Sequence, residues 1–140
     1  FTTAQITTLA QFSSVPIVST QPELSPLRID TIENGELDQA IAMDLAVLAW
    51  SPLGGGRIGD PGDAREQNVA AALSDVAAAH GVSRTAAAYS WIMAHPARPI
   101  PIVGSQNPAR IVEAADAFKI KWTRADWYSV LVAARGVPLP

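Results

Sequence analysis

The sequence predicts an α/β fold, the C-terminal portion of a parallel (β/α)8 barrel holding about three strands with their helices and a last extra helix. Three observations predict it. Short apolar runs alternate with helical segments, which implies parallel strands joined by crossovers. Each apolar run opens into a loop of small and polar residues, as at the ligand-binding face of such folds. And 140 residues are somewhat more than half of the about 250 typical of a whole barrel. Three strands cannot close a barrel, so the domain, 1–140, is read as one part of a barrel whose N-terminal strands are absent. A chain that opens on Phe1 at a helix start supports the same expectation of a fragment.

The elements follow in order. Thr2 or Thr3 supplies the hydroxyl that caps a short helix running to about Phe12. Val15-Pro16-Ile17-Val18-Ser19 is β-branched and apolar, a strand buried on both faces, with proline near its start. The two prolines of Gln21-Pro22-Glu23-Leu24-Ser25-Pro26 forbid regular structure. Leu37, Ile41 and Leu45 recur every fourth residue between Asn34-Gly35 and Asp44, on one face of an amphipathic helix. Ala46 to Trp50 forms the second strand and stops at Ser51-Pro52-Leu53-Gly54-Gly55-Gly56-Arg57.

An alanine-rich helix runs from Ala64 to His80 and ends on Gly81; Ser83 caps a second through Met93, with Tyr89, Ile92 and Met93 as large buried candidates. Pro99 to Val103 is the third strand. Asn107 then caps and Pro108 opens a helix to about Phe118. The last helix starts at Thr123, whose spacing to Asp126 approximates an acidic capping box, and ends at Gly136 before Val137-Pro138-Leu139-Pro140.

Bulk properties narrow the function. A net charge of −3 offers no broad basic surface for nucleic acid or an anionic membrane. With no cysteine there are no disulfides, thiolate nucleophiles or cysteine-ligated zinc, which fits a cytoplasmic protein. No apolar run reaches the about 20 residues of a membrane span, and the opening residues lack a signal peptide's charged and apolar regions. His80 and His95 stand at helix ends without metal-ligand spacing, so no metal site is assigned. Trp91, Trp122 and Trp127 are read as packing residues. The acids sit at caps and solvent faces rather than in a buried pair, so none is assigned to acid–base work.

Chemistry concentrates in the loops. In Gly104-Ser105-Gln106-Asn107-Pro108-Ala109-Arg110 a helix start is flanked by a hydroxyl and a guanidinium, the shape of a phosphate grip. Read locally, it is equally a good helix start with a solvated arginine. The glycine run after the second strand lets backbone approach a ligand, and Arg57 could neutralise a pyrophosphate; a flexible surface loop is the plainer alternative. Neither the Gly-Lys-Ser/Thr ending of a P-loop nor GxGxxG is present. Trp50 could stack on a flat ring and Gln21 could hydrogen-bond an amide, or each could simply pack.

Trp50-Ser51-Pro52-Leu53-Gly54 together with Pro101-Ile102-Val103-Gly104-Ser105-Gln106-Asn107-Pro108-Ala109-Arg110-Ile111 resembles the aldo-keto reductases, especially bacterial members with a Ser-Pro-Leu-Gly-Gly-Gly loop. The segment from Gln21 to Pro26 looks like that after the family's sixth strand, and Thr123 to Pro140 like the extra C-terminal helix. The resemblance implies reduction of aldehydes or ketones by NADPH, with NADH not excluded. Carried over by position, Gln21 would hold the nicotinamide carboxamide and Trp50 would replace the usual stacking tyrosine. Ser51, Leu53 and Gly54 would line the pyrophosphate path, extended by Gly55, Gly56 and Arg57. Ser105 and Arg110 would contact the adenosine 2′-phosphate and Glu113 the adenine.

Two positions depart from the pattern: Ala114 replaces a common asparagine, and Gly104 a phosphate-binding lysine, leaving Arg110 as the bidentate contact. The family's catalytic tyrosine, aspartate, lysine and histidine would lie before Phe1. No catalytic residue is therefore assigned, and the chain alone is expected to be inactive. The partners implied are a nicotinamide nucleotide, a small carbonyl compound, and the missing barrel half or another chain. A non-enzymatic nucleotide-binding or assembly module on the same barrel is the alternative.

Overall fold

The computed structural model describes residues 1–138. Among these residues seven α-helices and three strands follow one another: α1 (Thr3–Phe12), β1 (Ser19–Thr20), α2 (Asp30–Glu33), α3 (Glu36–Ala42), β2 (Ala46–Ala49), α4 (Ala64–His80), α5 (Arg84–Met93), β3 (Ile100–Pro101), α6 (Pro108–Ala115) and α7 (Arg124–Arg135). Leu139 and Pro140, which close the expected domain, lie outside the described residues.

The strands pair in parallel in sequence order, β1-β2-β3, with Ser19 opposite Ala46 and Leu48 opposite Ile100. Consecutive parallel neighbours with helical crossovers are the barrel arrangement. Past β1 the pairing resumes at one bridge, Glu23 with Trp50, where the Trp50 N–H donates to Pro22 O at 3.1 Å and the Leu24 N–H to Trp50 O at 3.3 Å.

Local chemistry sets the helix ends. Thr2 and Gln5 form a reciprocal capping box on α1, while Asp63, Ser83, Asn107 and Thr123 each accept a first-turn N–H of α4, α5, α6 and α7. Gly81 and Gly136 close α4 and α7 in the left-handed conformation, at φ 65° and 72°.

Several expectations are corrected. Of the strand expected from Val15 to Ser19 only Ser19 lies in β1, with Val18 O accepting the Ala46 N–H at 3.0 Å, and Val15 and Val18 are exposed; the ladder on β2 begins at Ala46, opposite Ser19. The third strand is Ile100–Pro101 rather than 99–103, with one further bond from the Ile102 N–H to Ala49 O, and Ile100, Ile102 and Val103 are exposed. The two prolines at 99 and 101 remove donors on that stretch. In α3 the buried face is Leu37 with Ala40, while Ile41 points outward, because the helix ends at Ala42 and Leu45 is buried beyond it. The helix α6 stops at Ala115 and continues as a 3₁₀ turn, Asp116–Lys119, which leaves Phe118 exposed. Met93 is only half-buried.

The main core joins the sheet to α4, α5 and α7 through Leu24, Val47, Leu73, Trp91, Ile92 and Val130, all buried. Trp91 and Trp127 stack with ring centroids 5.0 Å apart, and each indole N–H donates to the other residue's backbone carbonyl at 3.0 Å. Arg65 on α4 spans two distant segments: Nε donates to Ala134 O at 2.6 Å and Nη2 to Leu27 O at 3.0 Å.

Candidate functional site

The loops after β2 and β3 meet because their strands are neighbours. Between them lies a cavity of about 540 Å³, whose walls include Ser51, Leu53, Gly55 and Gly56 from the first loop and Gly104, Ser105, Arg110 and Glu113 from the second loop and α6. That size is in the range of small-molecule and cofactor sites, about 300–1,000 Å³.

The first loop is held in shape by its own backbone. Gly54–Gly56 forms a 3₁₀ turn, with the Gly54 N–H on Ser51 O at 2.8 Å and the Gly56 N–H on Leu53 O at 3.1 Å. Gly54 has φ +58° and its α-carbon faces Leu27, so that a methyl group there would stand 3.0 Å from Leu27 Cδ1. It is buried beneath the loop, and Gly55 and Gly56 form the wall.

Arg57 is turned to a different partner. Its Nε donates to Gly54 O and its Nη1 to Glu66 Oε1, both at 2.8 Å. Glu66 is buried, and its second carboxylate oxygen accepts the Gly62 N–H at 2.7 Å. A third tie comes from Arg84, whose Nη1 donates to Ile58 O at 3.0 Å. Arg57 thus fastens the loop to the first turn of α4, and the cavity wall is built without it.

In the second loop Ser105 Oγ accepts the Asn107 N–H at 3.1 Å, which leaves the hydroxyl proton free to donate. Asn107 Oδ1 accepts the Ala109 N–H at 2.9 Å and Pro108 has no N–H. Arg110, in the first turn of α6, makes no ion pair among the described residues and is exposed on the cavity wall.

The remaining positions singled out in the sequence lie elsewhere. Ala114 is buried against Tyr89 and Ala117 and lines a second, largely apolar cavity of about 500 Å³ along β3 and α6. Trp50 is 44% exposed, its backbone fixed by the bridge to Glu23 and its ring outside the cavity walls. Gln21, also exposed, lines a separate depression of about 290 Å³ with Phe1, Ile6 and Ile17.

Sequence reasoning missed Thr85 and Tyr89, which form the cavity wall from α5. The signal was their four-residue spacing on one helix face. Burial, reinforced by the Glu113 carboxylate, pushes the Tyr89 phenol above its ordinary value, so it stays protonated at neutral pH.

His80 and His95 both serve structure. His80 Nδ1 lies 3.0 Å from Val76 O and its Nε2 accepts the Lys121 N–H at 3.4 Å; His95 Nδ1 accepts the Ala97 N–H at 3.1 Å. Among the described residues no three acidic or histidine side chains gather as metal ligands, and no helix is long and apolar enough to cross a membrane.

Comparison with known proteins places this arrangement. The model of the aldo/keto reductase family matches residues 1–131. The chain belongs to the aldo/keto reductase family. A relative from Novosphingobium aromaticivorans, named 6-dehydroglucose reductase, is 61% identical over all 140 residues, which are 46% of its length. A protein of the same name from Agrobacterium fabrum is 37% identical over 122 residues, 86% of this chain and 39% of the relative. A thermostable aldo-keto reductase solved with the inhibitor epalrestat superposes with a TM-score of 0.82 at 19% identity, over 95% of this chain and 46% of that one. This aldo/keto reductase chain spans about half the length of the curated relatives it matches. Its three parallel strands and their helices are the corresponding part of a (β/α)8 barrel.

Proposed function

We propose that this chain carries the cofactor-binding part of an oxidoreductase that reduces aldehydes or ketones, with NADPH preferred to NADH. The observation that carries the reading is the single cavity that gathers a glycine loop, a hydroxyl and a guanidinium from neighbouring strand ends. Such donors suit a phosphorylated nucleotide: backbone without side chains can approach a pyrophosphate, and a planar guanidinium binds a phosphate bidentately.

The roles follow from position. Ser51, Leu53, Gly55 and Gly56 receive the pyrophosphate, with Gly54 and Arg57 shaping that wall from beneath and behind. Ser105 and Arg110 take the adenosine 2′-phosphate, Gly104 gives it room, and Glu113 accepts the adenine amino group. Ala114, which packs against Tyr89 and Ala117 and lines the second cavity, is assigned no direct contact with the nucleotide. Gln21 and Trp50, past the ends of β1 and β2, are assigned to the nicotinamide. The bound nicotinamide supplies the hydride to the carbonyl carbon; the residues named here bind and orient, and no catalytic residue is assigned among them. With two relatives named 6-dehydroglucose reductase, we assign a sugar carbonyl as the substrate class.

The test is a titration of NADPH and NADH into the full-length protein carrying this chain and its Arg110→Ala variant, followed by nucleotide fluorescence. A charged hydrogen bond contributes about 1.5–3 kcal/mol, so Arg110→Ala should weaken NADPH about 10- to 150-fold and leave NADH nearly unchanged. A folded protein that binds neither nucleotide overturns the reading.

A further inference from the structure

Tyr89 lies where the two large cavities meet and forms part of the wall of both. The body of its ring packs with Ala114 and Ala117, against Leu53 and Met93, so it joins α6 to the glycine loop. Only 5% of the residue is exposed. A buried tyrosine normally finds a partner for its hydroxyl. Here none of the described residues bonds to Tyr89 Oη, nor is that atom sealed from solvent, as the buried unpartnered Thr31 Oγ1 and Gln39 Oε1 are.

Tyr89 shares the first cavity with Glu113, the carboxylate that acts on its phenol and that does not line the second. Thr85, one helical turn earlier on the same face of α5, lines the first cavity as well.

We infer that the Tyr89 hydroxyl is a further cofactor-binding group, donating a hydrogen bond to the neutral adenosine portion of the nucleotide. The inference rests on the proposed cofactor reading of this cavity. The adenosine rather than its 2′-phosphate is the partner because of the local charge. A phosphate beside Tyr89 would also stand beside the Glu113 carboxylate, a repulsive pairing, whereas Arg110 is the cation on the same wall. A purine and ribose present uncharged acceptors to the phenol, and the adenine amino group presents a donor to Glu113.

The variant Tyr89→Phe keeps the ring and its packing and removes only the hydroxyl. In the full-length protein, NADPH, NADH and reduced nicotinamide mononucleotide, which lacks adenosine, are titrated into the wild type and the variant. A net hydrogen bond of about 0.5–1.5 kcal/mol corresponds to roughly two- to twelve-fold weaker binding. That loss is expected equally for NADPH and NADH, with the mononucleotide unchanged. Unchanged affinity for all three overturns the role of Tyr89 and leaves the cofactor reading standing, since the wild type still binds. A loss confined to NADPH overturns it in favour of a phosphate contact, and a loss that includes the mononucleotide overturns it in favour of a purely structural role. Wild type that binds no nucleotide overturns the cofactor reading, and this inference with it.

Discussion

Arg57 Nη1 lies 2.8 Å from Glu66 Oε1, and this pair, rather than the loop sequence alone, holds the glycine turn against α4. Glu66 is the buried member, while the Arg57 side chain is 54% exposed, so the charge most in need of a partner is the carboxylate. It has two: Arg57 and the Gly62 amide.

Replacing Glu66 by Ala removes the acceptor for both and should cost about 1–3 kcal/mol, read as a lower urea midpoint. Glu66→Gln keeps an acceptor for Gly62 and should cost less. Amide exchange across 54–63 should quicken in the alanine variant before global stability falls; unchanged exchange there would mean that the backbone turn holds itself.

Gly54 and Gly55 separate two causes of strain in the same turn. Both have left-handed backbone, but a methyl on Gly54 meets Leu27 at 3.0 Å and one on Gly55 meets nothing within 4 Å. Gly55→Ala should therefore cost only the backbone term, about 1–2 kcal/mol. Gly54→Ala should cost more, and thermal melts of the two variants give the difference; equal losses would show that Leu27 yields freely.

The indole pair should be worth more than its area. Trp127→Ala removes the stacked ring and leaves the Trp91 carbonyl without its indole donor. A loss of about 3–5 kcal/mol is expected, whereas Trp127→Phe keeps a ring and loses the donor, for a smaller decrease. Denaturant midpoints order the two variants.

His95 gives stability a pH dependence of known sign. Burial holds its imidazole below the ordinary value, with Asp38 pulling weakly the other way. The unfolded chain then binds the proton more readily, so stability is full above about pH 6.5 and falls as the pH drops through and below it, by at most about 1.4 kcal/mol per pH unit. His95→Asn keeps an acceptor near the Ala97 N–H. It should show a smaller stability difference between pH 7.5 and pH 5; an identical difference would place the effect on the carboxylates.

What could be read in the sequence was what is decided locally. Thr2, Ser83, Asn107 and Thr123 cap their helices because a cap concerns three or four consecutive residues. Strand extent depends on the neighbouring strand, so Val15, Val18, Ile102 and Val103 looked like core and are exposed. The site divides the same way. The Ser51 to Gly56 and Gly104 to Glu113 stretches each announced themselves, and adjacency of β2 and β3 unites them. That Arg57 belongs to Glu66, nine residues on, depends on how the loop folds back over α4. Tyr89 was hidden because a tyrosine in an alanine-rich helix reads as core, and only the packing of α6 makes it also a cavity wall.

The two carbonyls gripped by Arg65 have a consequence during synthesis. Leu27 leaves the ribosome 38 residues before the arginine, but Ala134 follows it 69 residues later. Until that last helix emerges, one arm of the guanidinium fork must be satisfied by water, and the face of α4 that α7 covers lies open to other chains. The nascent polypeptide therefore passes through an adhesive stage that ends only when α7 docks, a window in which a chaperone that shields apolar helix faces would raise the yield.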